Sequence, residues 1–188
     1  MTQVHPPDCR YAPGLRGWPT GLVVALMAAL SACSPALDWR QMRPEGWQLK
    51  LDLPCRPATQ TRLLPLAGAS AELTLLACSV DEHTFALAST DLHDPGRVGP
   101  ALRALGQAAR ANVQGQVEHV QPAQVKGMTP QVDALQWRLR GQRPDGQAVQ
   151  AQVLVFAHGT RVFQASLIGA VAAGPMTQPF FSSIEVLP

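Results

Sequence analysis

Charge is scarce in this chain. Charged residues make up 15% of its 188 positions, against about a quarter in an ordinary soluble domain. Lysine occurs only at Lys50 and Lys126, and Tyr11 is the one tyrosine. The net charge of +2 is too small for a dedicated nucleic-acid binder. With 46% apolar residues, the composition also excludes a disordered chain. Four cysteines are too few for a disulfide scaffold of this length. No Cys-x-x-Cys occurs, which excludes the usual thiolate zinc and dithiol redox motifs. No apolar run approaches the ~20 residues that a spanning helix needs. No repeat of period 20–50 residues is present. A Gly-x-Ser-x-Gly elbow, a phosphate-binding glycine loop and a His-x-x-x-His pair are all missing, so no catalytic motif or cofactor site is expected. The length fits one domain.

What is there begins at the N-terminus. Arg10 and Arg16 precede Gly21 to Leu30 (GLVVALMAAL), an uncharged apolar run that ends in Leu30-Ser31-Ala32-Cys33. Ten apolar residues suit a signal-peptide core rather than a membrane span. The pattern resembles the bacterial lipoprotein signal, whose lipobox sets an apolar and two small residues before an obligatory Cys. The resemblance implies loss of residues 1–32, acylation of Cys33 and attachment to a membrane facing the periplasm. Ser34, where Asp would retain the protein, implies the outer membrane. An ordinary secretory signal cut nearby and an uncleaved anchor are the alternatives. Residues 33–45 then read as a tether and 46–188 as the folded domain.

From Trp47 the hydrophobic period becomes two. Trp47, Leu49, Leu51 and Leu53 alternate with Gln48, Lys50 and Asp52, as in a half-buried strand. Strands are expected over 59–64, 72–80 and 84–92, with Asp81-Glu82-His83 as a turn. Gly99-Pro100 opens a helix in which Leu102, Leu105, Ala109 and Val113 recur at helical spacing, and Gly115 is its expected C-cap. Strands follow over 117–125, 135–139, 149–157 and 162–168. Arg143-Pro144-Asp145-Gly146 is the strongest turn signal. A short helix is expected over 177–184. Strands in blocks rather than in alternation with helices argue for an α+β fold with an antiparallel sheet.

Three strings, Leu51-Asp52-Leu53-Pro54-Cys55-Arg56-Pro57, Gly159-Thr160-Arg161-Val162-Phe163-Gln164-Ala165 and Pro179-Phe180-Phe181-Ser182-Ser183-Ile184, occur in an order and spacing similar to the PsbP-like superfamily and its DcrB-type bacterial lipoproteins. The similarity spans roughly residues 46–187. Cys55 stands where glycine is common, and Phe163 where tyrosine is usual. The resemblance implies a central antiparallel sheet with helices on both sides. It implies no reaction, because members differ in partner and function lies in the site rather than the fold.

Few candidate functional residues remain. With Cys9 removed and Cys33 acylated, Cys55 and Cys78 are left in an oxidising compartment, where leftover thiols pair; the alternative is two separate buried thiols. Arg138, Arg140 and Arg143 share one face of a strand and its turn. They fit an anionic partner (lipid headgroup, glycan or acidic protein) or, more plainly, a solvated outer face. His83 and His93 stand near Asp81, Glu82, Asp91 and Asp94, types that bind divalent metals but are ordinary at strand ends. Ser166, Ser182 and Ser183 lack a nucleophile's local motif. The expected function is a non-enzymatic binding or assembly module partnered by an envelope protein. A small envelope hydrolase and a carrier of an apolar ligand are the other classes in view.

Overall fold

The computed structural model describes residues 37–143, 145–170 and 174–188. The segment read as a signal peptide, and Cys33, lie outside the described residues. The elements in chain order are β1 (Arg40–Met42), β2 (Leu49–Leu53), β3 (Ala58–Leu66), β4 (Ala69–Val80), β5 (His83–Asp91), α1 (Val98–Asn112), β6 (Gln116–Pro122), β7 (Leu135–Gln142), β8 (Ala148–His158), β9 (Arg161–Gly169), α2 (Thr177–Ser182) and β10 (Glu185–Val186). Seven strands form an antiparallel sheet in the order β3-β4-β5-β9-β8-β7-β6, and β1-β2-β10 form a second, smaller sheet. The fold is therefore mostly β, not the α+β arrangement with helices on both sides that the sequence led us to expect. One face of the large sheet is covered by a helix, and the other mainly by sheet. β1 falls inside the segment read as a tether. At three and two residues, β1 and β10 are too short to leave a hydrophobic period in the sequence.

The helix-covered face is set by strand parity. Trp137, Val153, Ser166 and Ala86 lie side by side across β7, β8, β9 and β5. Helix α1 packs on β8 and β9 through Val98, Ala101, Leu102, Leu105, Gly106 and Ala109, the apolar stripe of a 3.6-residue period. Gly106 permits this approach, since a Cβ there would lie 2.5 Å from Cη2 of Trp137. Asp94 accepts from the amide of Gly96 at 2.8 Å in the 3-10 turn that leads into α1. At the other end the left-handed residue is Gln114, with φ of 45°, rather than Gly115. The amides of Gln114 and Gly115 close back on Ala111 and Arg110, the bonding of a Schellman cap.

The opposite face carries Phe85, Leu87, Phe163, Ala165 and Leu167, all buried. It meets the small sheet, whose Leu49, Leu51 and Leu53 are also buried. Aromatic rings mark the junction. Trp47 meets Phe163 edge-on at 6.3 Å, Phe163 stacks on Phe156 at 4.9 Å, and Phe180 of α2 meets Phe85 edge-on at 5.3 Å. Such pairs add about 0.5–1.5 kcal/mol each beyond their burial.

Cys55, just after β2, and Cys78 in β4 form a disulfide, with Cα atoms 5.9 Å apart. It joins the small sheet's outgoing chain to the large sheet and closes a loop with a sequence separation of 23. On the chain-entropy account a loop of this size stabilises the fold by roughly 3 kcal/mol. Reduction, or Cys55→Ala, is expected to lower the unfolding free energy by that amount and the melting temperature by on the order of 10 °C. Equal denaturation midpoints with and without reductant would show that the bridge does not contribute.

Candidate functional site

Strand β8 changes character along its length. From Ala148 to Gln152 its residues alternate between buried and not, whereas Val153 to Ala157 are buried on both faces. On the face away from α1, Gln150 and Gln152 therefore precede Leu154 and Phe156. Register sets Gln136, Arg138 and Arg140 of β7 opposite Leu154, Gln152 and Gln150. On the other side of β7, His119 and Gln121 of β6 oppose Arg138 and Gln136. A bulge between Val117 and His119 explains this phase. It returns Val117 and Val120, three residues apart, to the helix side with Leu139 and Trp137, and turns His119 to the polar side beside Glu118.

These residues floor a polar groove that the small sheet does not reach. Its wall is the 3-10 turn that begins at Gly174 together with the start of α2, at Thr177 and Gln178. The serine that follows α2 holds this wall in place. Ser183 Oγ donates to the Phe180 carbonyl and accepts from the Asp52 amide, both at 2.8 Å, which ties α2 to β2. The groove has two adjoining hollows that share Arg138, Gln152, Gly174 and Thr177. One, of about 320 Å³, reaches His83, Glu118 and Arg140. The other, of about 670 Å³, reaches Gln121, Gln124, Gln136 and Phe181.

Two of the three predicted arginines meet here. Arg140 is paired with Glu118 at 2.7 Å. Arg138 is exposed, with His119 and Gln152 as its cross-strand neighbours, and has no ion-pair partner among the described residues. Arg143 does not join them. It lies in the β7–β8 loop and donates from Nη2 to the Glu82 carbonyl at 3.5 Å, a tie between two turns. The groove's amides were not singled out from sequence, although the in-phase polar positions of β7 and β8 carry them. Gln121 Nε2 donates to Gln136 Oε1 at 2.9 Å, and Gln121 Oε1 meets His119 Nε2 at 3.2 Å. These bonds fix the orientation of both amides.

The other candidates take structural positions. His83 begins β5, buried, rather than sitting in a turn. Ser166 is buried in β9, and Ser182 Oγ donates to the Gln178 carbonyl at 2.7 Å. Among the described residues no three of His, Cys, Asp and Glu converge as a metal cluster, and no helix is long and apolar enough to cross a membrane. The chain matches no family model and no curated protein.

Two carboxylates outside the groove are held below their ordinary range. Burial alone would raise Asp91, but it accepts from the Thr160 hydroxyl at 2.7 Å and the His93 amide at 3.0 Å, and it faces the charges of His93 and Arg161; together these lower it. Glu185 is lowered by hydrogen bonds from Lys126 and Lys50, at 2.8 and 2.9 Å. A depressed carboxylate contributes stability above its unfolded pKa of about 4, and that stability is lost as pH falls through the folded value. Asp91→Asn and Glu185→Gln should each be less stable than the wild type at pH 7, with the difference shrinking toward pH 3. A difference constant across that range in urea titrations would contradict the assignment.

Proposed function

We propose that this protein is a bacterial envelope lipoprotein, anchored through acylated Cys33, whose domain is a non-enzymatic binding module facing the periplasm. The polar groove is its recognition surface, and an anionic group on an envelope partner is what it recognises. The signal pattern ending in Cys33 supports the anchor. The order of the three sequence strings supports kinship with the PsbP-like superfamily and its DcrB-type members. The observation that carries the binding role is Arg138, an exposed guanidinium set in a concavity of amides with no carboxylate paired to it among the described residues. A planar, permanently charged fork of this kind suits bidentate bonding to carboxylate or phosphate. It is mounted on the middle of a strand, so its backbone position is fixed before a partner arrives. The groove's hydroxyls and amides are groups for recognition. Ser182 is bonded within its own helix, and the hollows set Arg138, Arg140, Glu118 and glutamine amides along their walls, groups a carrier of apolar ligands does not need.

Two measurements test the two halves separately. Metabolic fatty-acid labelling should mark the wild type and fail in Cys33→Ala; persistent labelling in that variant would remove the anchor. For the groove, vesicles of phosphatidylglycerol, an acidic peptide and a uronate oligosaccharide serve as probes. At least one should bind in low salt, and Arg138→Ala should weaken it roughly tenfold, about 1.4 kcal/mol, while Arg143→Ala leaves it unchanged. Equal loss in both variants, or no binding of any probe, would contradict the reading.

A further inference from the structure

The two outer edges of the seven-stranded sheet are built differently. β6 is irregular, with its bulge, Glu118 and His119, and a terminal Pro122. These are devices that discourage pairing with another chain. β3 pairs with β4 through nine consecutive residues in unbroken register. It carries one charge, Arg62, and leaves Leu63 73% exposed. Its other side has no strand partner among the described residues.

The turn that follows β3 fixes which of its backbone groups are unused. Ala67 and Gly68, with φ of 52° and 84°, form a two-residue turn of the kind that closes a hairpin. Leu66 and Ala69 on either side of it are therefore a hydrogen-bonded pair. By alternation Leu64, Arg62 and Gln60 bond to β4, and Thr59, Thr61 and Leu63 point their amides and carbonyls outward. Pro65 lies on that same outward parity, as does Pro57 just before the strand. The free edge is thus three donors, symmetric about Thr61 and bounded by a proline on each side.

We propose that β3 pairs antiparallel with β3 of a second copy of this chain, about a two-fold axis through Thr61. In that register Thr61 faces its own counterpart, and Thr59 faces the second copy's Leu63. Each outward amide meets a carbonyl, and Pro57 falls opposite the second copy's Pro65, where neither has an N–H and the pairing ends. Centring on Arg62 would lengthen the overlap but set two guanidiniums directly opposite, which is unfavourable. One step over, Arg62 faces the second copy's Gln60, an amide oxygen of the kind it already bonds along its own strand at 3.3 Å. The axis runs normal to the sheet, so both copies turn the same face to the same side. The small sheet, through which the described chain begins at β1, lies on that face. Two chains anchored to one membrane meet this requirement; that last point rests on the anchor proposed above, whereas the strand pairing does not.

The full chain, extracted in mild detergent, tests the pairing. Sedimentation should give the mass of two chains for the wild type. Thr61→Pro removes the central outward donor without touching the β3–β4 ladder, so it should give one chain with unchanged circular dichroism. On mild oxidation Thr61→Cys should link to itself more than the wild type does. Thr59→Cys should link only when mixed with Leu63→Cys. A wild type that remains one chain at roughly 100 µM, weaker than a specific contact, would overturn the proposal. A two-chain mass unaffected by Thr61→Pro would overturn it too, as would Thr59→Cys linking to itself as readily as Thr61→Cys.

Discussion

The structure depends on how far the second face of the large sheet is covered, and β8 is where that cover stops. Val153 to Ala157 are buried on both sides, whereas Gln150 and Gln152 beside them are not. Each fully buried aliphatic or aromatic side chain contributes about 1.5–3 kcal/mol, so a continuous apolar run demands a layer above it and another below. Helix α1 supplies one layer. The small sheet, Phe180 and the Cys55–Cys78 bridge supply the other, over β4, β5, β9 and the second half of β8. Beyond that line the same face must live in water, and its residues are Gln and Arg.

This boundary turns an incomplete sandwich into a candidate site. The groove is a step, where the edge of the upper layer stands over the uncovered floor of β6, β7 and β8. Its side chains are mounted on paired strands, and several are already oriented by bonds to each other, such as Gln121 to Gln136. Among the three predicted arginines the difference is one of commitment. Arg140 answers Glu118, and Arg143 answers the Glu82 carbonyl. Arg138 stands between an imidazole and an amide, with no ion pair among the described residues, so its charge is available to a partner.

Much of this was legible in the residues. The alternation Leu135, Trp137, Leu139 against Gln136, Arg138, Arg140 gave the register of β7. The strand expected over 149–157 is β8, although the double burial of its second half was not read from the sequence. The Cys55–Cys78 pairing, expected from the cysteine count and an assumed exported state with two separate thiols as the alternative, is present. What was hidden is short or out of phase. β1 and β10 have too few residues to show a period, so the strand read at β2 gave no sign of a second sheet, and the helices expected on both faces came from the PsbP-like resemblance. The bulge in β6 breaks alternation, and only the three-residue spacing of Val117 and Val120 betrays it. Arg143 shares its parity with no partner in the groove because the chain has already left β7 at Gln142. The turn residue that closes α1 is Gln114, which no propensity would select over the neighbouring Gly115.

The most direct test of the half-covered face compares thiol reactivity at two positions on that face in the folded protein. Gln152→Cys lies on the uncovered floor, and Ala165→Cys, a small change at a fully buried site, lies under the small sheet. With a maleimide under native conditions, Gln152→Cys should react at a rate close to that of an exposed thiol. Ala165→Cys should react only as fast as the domain unfolds, slower by orders of magnitude. Similar rates at the two positions would contradict the account, because the cover would then either extend over both or protect neither.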